Sequence, residues 1–214
     1  MSARSQRLAG ARLYLVCDDR PSEFVEAALR GGVEILQLRM KDASEERILE
    51  AAPRVRELCN EHGALFILND RPDLASAVDA DGVHVGQEDV AVSEARELVG
   101  PDRLVGLSTH SPAQIEKAGA LDVDYVGAGP VYETPTKPGR TAVGLELVRY
   151  AAAHARVPFF AIGGIDAGNV EGVRAAGAER VAVVRAIGDA PDPEAAARRL
   201  RDALIRREER VGAA

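Results

Sequence analysis

The sequence is poor in cysteine and in aromatic residues. Among 214 residues there are two cysteines, no tryptophan, and an aromatic content of 4%. Cys17 and Cys59 have neither metal-ligand nor redox spacing, and two cysteines in a chain of this length do not indicate a disulfide framework. We therefore expect both thiols to be reduced, as in an intracellular protein.

Long hydrophobic runs are also missing. No apolar stretch reaches the roughly 18 residues that a membrane-spanning helix needs. The arginine-containing start, Met1 to Arg12, is followed by the apolar run Leu13 to Cys17, which is too short for a secretory signal and ends at Asp18. The sequence therefore predicts a flexible N-terminal tail over residues 1–11, a cytoplasmic location and no membrane partner.

The chain has no excess of positive charge. Twenty-seven basic residues stand against thirty-four acidic ones, which gives a formal net charge of −7. This balance disfavours non-specific binding to nucleic acid or to anionic membranes. We expect small-molecule partners, and an anionic substrate would have to be attracted by a local cluster of cations. A homo-oligomer is compatible with the sequence.

Short apolar runs alternate with amphipathic helical patterns along the whole chain. The predicted strands are Leu13 to Cys17, Ile35 to Arg39, Leu65 to Leu68, Gly82 to Val85, Leu104 to Leu107, Tyr125 to Ala128, Phe159 to Ile162 and Val181 to Val184. The predicted helices are Ser22 to Arg30, Ser44 to His62, Pro72 to Ala77, Val92 to Val99, Ala113 to Ala118, Leu145 to Ala153, Val170 to Ala176 and Pro193 to Arg207.

This alternation predicts right-handed βαβ units and a parallel sheet. Eight units favour a closed (β/α)8 barrel, the TIM barrel, over the alternative of an open doubly wound sheet. The sequence has no linker or change of composition. We therefore predict a single α/β domain over residues 12–207, followed by a flexible tail at 208–214.

Glycines late in the chain indicate a phosphate site. Gly163 and Gly164 follow the seventh predicted strand, and Val184 and Arg185 follow the eighth. Barrels of this class often bind phosphate at this position through backbone N–H groups, and glycine lets the backbone come close to the anion. The alternative is a tight turn capped by Asp166.

A second anionic site is indicated on the other side of the same rim. Asp70 and Asp89 follow the third and fourth strands, which lie about 4.8 Å apart as neighbours in a sheet. Both carboxylates could therefore face one Mg²⁺ ion, which commonly takes one or two carboxylates together with substrate phosphates. The alternative is that each aspartate caps a helix.

Basic and amide side chains at neighbouring strand ends support the metal interpretation. Arg39 and Lys41 follow the second strand, and with Lys137 they could neutralise a diphosphate beside the metal ion. Taken singly, each is as compatible with a solvated surface charge. The side chains expected to converge on the same site are Gln37, Asn69 and Ser108.

These residues lie in segments that resemble the thiamine-phosphate synthase family. The matching segments are QLRMK (37–41), ND (69–70), HVGQED (84–89), GLSTH (106–110), GPVYETPTK (129–137) and IGGI (162–165). The resemblance runs in order from about Leu13 to Ile187. It implies a TIM barrel that joins hydroxymethylpyrimidine diphosphate to a thiazole phosphate, or to its carboxylated form, and releases pyrophosphate with thiamine phosphate.

The resemblance also implies roles, position by position. Pyrimidine diphosphate would contact Gln37, Leu38, Arg39, Met40, Lys41 and Asn69, and Mg²⁺ would be held by Asp70 and Asp89. The diphosphate would also contact Ser108 and Lys137, so that the implied catalytic residues are Arg39, Lys41, Ser108 and Lys137. The thiazole phosphate would contact Thr134, Pro135, Thr136, Gly163, Gly164, Val184 and Arg185.

One position departs from the family pattern, and the histidines have no implied role. Position 185 is often a small hydroxyl residue in the family, so Arg185 could contact the phosphate by its side chain or only by its main chain. The implied reaction, a dissociative loss of pyrophosphate, needs no protein nucleophile and no triad base. We therefore interpret His84 as a packed strand residue, whereas the role of His110 stays open.

Two other functions compete with the synthase interpretation. A thiazole tautomerase related to the family would use acid–base chemistry and would not need both a metal pair and diphosphate-binding cations. A non-catalytic ligand-binding or regulatory barrel would have lost those contacts. The sequence retains both sets of residues, which favours the synthase.

Overall fold

The chain forms a closed barrel of eight parallel strands. A computed structural model describes residues 2–134 and 141–205, and its strands are hydrogen-bonded in the order of the sequence, with the eighth paired to the first. The strands are β1 (Leu13–Cys17), β2 (Ile35–Leu38), β3 (Leu65–Asn69), β4 (Gly82–Val85), β5 (Leu104–Thr109), β6 (Tyr125–Ala128), β7 (Phe159–Ile162) and β8 (Val181–Val183). The predicted (β/α)8 fold is confirmed.

Helices lie between most strands and cover the outside of the barrel. They are α1 (Ala3–Gly10), α2 (Ser22–Arg30), α3 (Glu45–Glu61), α4 (Val92–Val99), α5 (Pro112–Ala118), α6 (Gly144–His154), α7 (Val170–Ala175), α8 (Arg185–Gly188) and α9 (Pro193–Ile205). In the part of the chain that the structure describes, no helix is both long and apolar enough to cross a membrane.

The structure differs from the sequence prediction at the N-terminus. Residues 1–11 were predicted to be a flexible tail, whereas Ala3–Gly10 form helix α1. Leu8 of this helix is 3% exposed and packs with the residues that fill the barrel interior. Arg4 donates a hydrogen bond to Asp81 at 2.9 Å. A buried leucine and an ion pair to the barrel therefore hold the segment in place.

Two further segments differ from the prediction. The prediction of a helix over Pro72 to Ala77 is wrong. Residues 72–79 form successive turns, in which the Leu74 N–H donates to the Arg71 carbonyl at 3.2 Å. Bonds that reach back three residues do not continue as an α-helix. Helix α8 was not predicted. The proposed tail at 208–214 and positions 206–207 of the last predicted helix lie outside the described residues.

Each strand directs alternate side chains into and out of the barrel. In β1, Tyr14 and Val16 point inward, whereas Leu13, Leu15 and Cys17 pack beneath the helices. Both faces are buried, which explains why the strands read as continuous apolar runs. It also means that the sequence pattern did not distinguish inward from outward positions.

Three acidic residues close the barrel at the amino ends of the strands. Glu34, Asp81 and Asp124 each precede a strand and accept a backbone hydrogen bond at the start of the strand before it, from Arg12, Phe66 and Val105 respectively. The distances to the backbone nitrogens are 2.7 Å for Glu34, 2.9 Å for Asp81 and 2.8 Å for Asp124. Arginine side chains pair with all three carboxylates. The repeated contact satisfies backbone groups that the sheet leaves unpaired.

Candidate active site

A cavity of about 440 Å³ opens at the carboxyl ends of the strands. Its lining includes these residues from the predicted site: Gln37, Arg39, Asn69, Ser108, Thr134, Gly163, Gly164, Val184 and Arg185. Ligand sites of barrel proteins lie at this face, where loops from different strands come together. These nine predicted residues therefore surround one cavity, although they are spread over nearly 150 positions of the chain.

Strand alternation divides the segment Gln37 to Lys41. Gln37 and Arg39 line the cavity, whereas Leu38 is 1% exposed and packs in the layer between the barrel and the helices. Met40 packs partly against the same layer, and Lys41 is exposed on the following turn. The side chains of Leu38, Met40 and Lys41 do not line this cavity, so contact by Leu38 would have to come from its main chain.

Asp70 directly follows β3, Asp89 lies in the loop after β4, and the two side chains are hydrogen-bonded to each other. Neither aspartate lines the cavity, although Asn69, next to Asp70, does. The pKa of Asp70 is raised to about 6, first by burial of the carboxyl and then by the charge of Asp89 and a hydrogen bond with it. Asn69 and Arg39 act in the opposite direction and favour ionisation of Asp70. Asp89 is oriented by the Gly86 N–H, which donates to its Oδ2 at 2.8 Å. Two mutually repelling carboxylates would be stabilised by a bound cation.

Two carboxylates alone cannot complete the coordination of a metal ion, but they can hold a magnesium ion whose other ligands are substrate oxygens and water. Among residues 2–134 and 141–205, no group of three or more His, Cys, Asp or Glu side chains is arranged to hold a metal. Mg²⁺ typically keeps several waters and takes one or two carboxylates together with substrate phosphates. Oxygen ligands from Asp70 and Asp89 match that preference.

Ser108 is connected to the barrel interior by buried polar side chains. The His84 Nε2 atom lies 3.0 Å from the Ser108 hydroxyl, and its Nδ1 lies 3.2 Å from the Tyr125 hydroxyl. Tyr125 lies 3.0 Å from Tyr14, whose hydroxyl accepts from the Gln37 amide at 2.6 Å. The interpretation of His84 as only a packed strand residue is therefore incomplete.

The Gly163-Gly164 turn is held by contacts on both sides. Both residues have positive φ, 103° and 65°. A Cβ on Gly163 would lie 2.5 Å from Pro130, and one on Gly164 would lie 2.7 Å from Tyr132. The glycines thus permit close packing of the loops after β6 and β7, in addition to any approach by an anion.

Asn169, which no sequence motif indicates, stabilises the same turn. Its side-chain amide donates to the Gly164 carbonyl at 2.8 Å, and its Oδ1 accepts from the Asp166 N–H at 3.0 Å. Asp166 itself accepts from the Gly168 N–H at 2.8 Å. Asp166 therefore caps the turn, as the alternative interpretation predicts, and the same turn also lines the cavity. The two interpretations of this segment do not exclude each other.

The end of β8 forms the neighbouring part of the wall. Val184 and Arg185 line the cavity, and Arg185 begins the short helix α8. The Arg185 side chain is 57% exposed, and its Nε donates to Asp189 Oδ2 at 2.7 Å. The side chain is therefore engaged on the surface of its own helix, while its backbone stays at the cavity.

The loop after β6 is described only in part. Thr134 lines the cavity. His110, which directly follows β5, also lines it, and its Nδ1 donates to the Gly129 carbonyl at 2.5 Å. The predicted contacts from Pro135, Thr136 and Lys137 lie outside the described residues.

The fold and the cavity define the class to which the chain belongs: a (β/α)8 barrel whose cavity at the carboxyl rim is lined by Arg39 and Asn69 and by a glycine turn after β7. Residues 13–187 match the thiamine monophosphate synthase family. The chain belongs to this family.

Individual relatives agree with this assignment. A thiamine-phosphate synthase of Nostoc sp. is 56% identical over 194 residues, and the match covers 89% of this chain and 55% of the Nostoc protein. The chain thus spans about half the length of that relative. A thiamine-phosphate synthase of Thermus thermophilus is 52% identical over 201 residues, with 90% of this chain and 97% of the relative covered.

A solved structure gives the same result for the fold. The thiamine phosphate pyrophosphorylase of Pyrococcus furiosus superposes with a TM-score of 0.84 at 36% identity, and the match covers 91% of this chain and 95% of that protein. The fold and the family assignment therefore agree.

Proposed function

We propose that this chain is a thiamine-phosphate synthase, which condenses hydroxymethylpyrimidine diphosphate with a thiazole phosphate to give thiamine phosphate and pyrophosphate. The observation that carries the proposal is one cavity lined both by Arg39 and Asn69 and by the Gly163-Gly164 turn, two groups that would each suit an anion. Asp70 directly follows Asn69, and its carboxyl lies beside that of Asp89 and close to Arg39. The Gly163-Gly164 turn, with positive φ at both residues, lines the cavity elsewhere. Two phosphorylated substrates, of which one must lose a diphosphate, match such a division.

The reaction needs charge stabilisation more than it needs a nucleophile. The bond between the pyrimidine methylene carbon and the diphosphate oxygen breaks, and both electrons leave with the oxygen. The lone pair of the thiazole nitrogen then forms the new C–N bond. Arg39 and Ser108, both at the cavity, would donate to the departing diphosphate. Lys41 and Lys137 are further proposed contacts, of which Lys137 lies outside the described residues.

Asp70 and Asp89 would hold Mg²⁺, together with oxygens of the diphosphate and water. When bound, the ion would supply positive charge that offsets the charge developing on the leaving group. The protein's own contribution is to keep both carboxylates together. The Gly86 N–H fixes Asp89, and the side chain of Asn69 bonds Asp70.

The second substrate would bind on the opposite wall. Backbone N–H groups of the Gly163-Gly164 turn and of the Val184-Arg185 segment can surround a phosphate. Thr134 would contribute a hydroxyl at the same subsite, with Pro135 and Thr136 beyond the described part of the loop. Holding both substrates in one cavity converts the capture of the pyrimidine cation into an intramolecular step.

The test is an assay with two purified substrates, with and without Mg²⁺, that quantifies pyrophosphate and thiamine phosphate separately. The proposal expects equal amounts of both products and a requirement for the metal. Isomerisation of a thiazole carboxylate phosphate without pyrophosphate would instead establish a tautomerase. Binding of either substrate without turnover would indicate a non-catalytic barrel.

A further inference from the structure

A continuous series of polar side chains crosses the interior of the barrel. It runs from Gln37 through Tyr14, Tyr125 and His84 to Ser108, with successive distances of 2.6, 3.0, 3.2 and 3.0 Å. Gln37, Tyr14 and Tyr125 are 3%, 2% and 0% exposed. Polar groups buried to this degree are costly unless they are hydrogen-bonded, so the series is a connected network.

The two phenols act as donors because neither loses its proton. Burial raises the pKa of the Tyr14 hydroxyl far above neutrality, and burial likewise raises the pKa of Tyr125. Each hydroxyl therefore has one proton to donate and lone pairs with which to accept.

Because each hydroxyl has one proton to donate, the hydrogen bonds of the network can be assigned a donor and an acceptor in order, starting from Gln37. Gln37 Nε2 donates to Tyr14, and among the described residues the other partner of the Tyr14 hydroxyl is Tyr125. Tyr14 then donates to Tyr125, and Tyr125 donates to His84 Nδ1. An imidazole that accepts at Nδ1 carries its proton on Nε2, which faces Ser108.

The packing around the network supports a fixed geometry. A Cβ on Gly106 would lie 2.2 Å from the Tyr125 ring, so only glycine leaves room for this tyrosine. Phe160 contacts the Tyr14 and Tyr125 rings edge-on, with centroids 5.4 and 5.7 Å away. An edge-on aromatic cluster of this kind restricts where the two hydroxyls can point.

We propose that Tyr14, Tyr125 and His84 are positioning residues, whose one-directional hydrogen bonds make the Ser108 hydroxyl a donor into the cavity. Because Ser108 accepts from His84, its own proton is left for a ligand. A hydroxyl fixed in this way favours an anionic oxygen, such as that of a diphosphate, over a donor group. The identity of the anion rests on the proposed function, whereas the direction of the network does not.

The direction can be tested on the ligand-free protein by ¹⁵N NMR of the histidine rings. The chain has four histidines, and a His84→Gln variant assigns the His84 signals by their loss. At a pH of about 8, where an ordinary imidazole is neutral, we expect the proton on Nε2. A proton on Nδ1 would mean that the hydrogen bonds run the other way and would overturn the proposal.

Removal of one hydroxyl tests the connection. Tyr125→Phe should move the Nδ1 resonance of His84, because that nitrogen loses its donor. Phe160→Leu is the matched control, since it alters the packing of the same cluster but removes no polar atom, and it should shift the resonance much less than Tyr125→Phe does. An unchanged Nδ1 resonance in a folded Tyr125→Phe protein would contradict donation from Tyr125.

The effect on the ligand is measured by calorimetry with pyrophosphate and Mg²⁺. Loss of a hydrogen bond to a charged group predicts about tenfold weaker binding for Ser108→Ala, and about threefold weaker binding for Tyr125→Phe. In the Ser108→Ala background, Tyr125→Phe should add nothing. The same loss in both backgrounds would indicate a merely structural role for Tyr125 and overturn the positioning role.

The two proposals fail in different ways. If wild-type protein does not bind pyrophosphate while the His84 proton is on Nε2, the assigned anion and the proposed function are wrong and the direction of the network is supported. If pyrophosphate binds but the His84 proton is on Nδ1, the network proposal fails and the proposed function stands.

Discussion

At the scale of the residue, the pair Asp70 and Asp89 combines an unusual backbone conformation with two carboxyls held close together. Asp70 adopts a positive φ of 56°, which non-glycine residues use rarely, and in this conformation its carboxyl lies beside that of Asp89. Strained backbone of this kind often occurs at functional positions. The geometry is maintained although the charge of Asp89 raises the pKa of Asp70.

We expect Asp70→Ala and Asp89→Ala each to lower kcat/KM by about 100-fold or more in the synthase assay, because each removes a ligand of the proposed Mg²⁺. The matched control is Asp73→Ala, an exposed aspartate paired with Arg71, which should retain near-normal activity. Circular dichroism should show that all three variants are folded. Near-normal turnover in both site variants would contradict the metal assignment.

Arg185 is the residue at which this chain departs from the family pattern. Its guanidinium is more than half exposed and already paired with Asp189. Exposed charges of this kind contribute roughly 0.2–1 kcal/mol. We therefore expect Arg185→Ser to raise the KM for thiazole phosphate by less than about fivefold and to leave kcat unchanged, as determined by steady-state kinetics. A much larger loss would mean that the side chain itself binds the phosphate.

At the scale of the element, the loops at the carboxyl rim depend on one another. The β6 and β7 loops are joined by backbone hydrogen bonds, in which Tyr132 donates to the Gly163 carbonyl at 3.0 Å. A bulky residue at Gly164 would collide with Tyr132 as well as approach the ligand. Substitution of Gly164 would therefore disturb loop packing and could not isolate phosphate binding.

Asn169→Ala is a cleaner probe of the phosphate turn. The change removes the hydrogen bonds to Gly164 and Asp166 but places no atom in the cavity. We expect the KM for thiazole phosphate to rise about 2- to 10-fold, while the KM for the pyrimidine diphosphate is unchanged. Asn60→Ala, at an exposed position on α3, serves as the control. Equal effects on both KM values would argue against separate subsites.

At the scale of the whole molecule, stability and chemistry lie at opposite ends of the barrel. Acidic residues pair with arginines and backbone groups at the amino ends of the strands, whereas the cavity occupies the carboxyl ends. Asp81 shows the contrast with Asp70. It is 2% exposed, and its carboxylate is paired with Arg4 and Arg56 at 2.9 and 2.7 Å.

Asp81→Ala should destabilise the protein by more than about 2 kcal/mol, because it leaves the buried Phe66 N–H without its acceptor and removes the carboxylate that Arg4 and Arg56 share. Urea denaturation measures this loss. The exposed Asp102→Ala should change stability by less than about 0.5 kcal/mol. Folded Asp81→Ala protein, assayed at low temperature, should keep the wild-type KM for both substrates. A change confined to KM would contradict the structural role.

Parts of the site could be predicted because they depend on strand order. Asp70 and Asp89 follow consecutive strands, and the ends of neighbouring parallel strands must be close. The Gly163-Gly164 turn follows the seventh strand, where such barrels bind phosphate. The family resemblance assigns the whole segment Gln37 to Lys41 to substrate binding, and so it predicts contacts from Leu38 and Met40. Strand alternation, however, directs the Leu38 side chain away from the cavity.

The sequence by itself determined the barrel, since alternating apolar runs and helical patterns allow few other ways to bury both faces of a parallel sheet. It also determined which residue types gather at the carboxyl rim. Only the tertiary structure decided that α1 packs its Leu8 against the barrel interior. The same holds for the hydrogen bonds by which Tyr14, Tyr125 and His84 connect Gln37 to Ser108. Those contacts join residues up to 111 positions apart, and they depend on which strand face points inward, which a continuous apolar pattern does not encode.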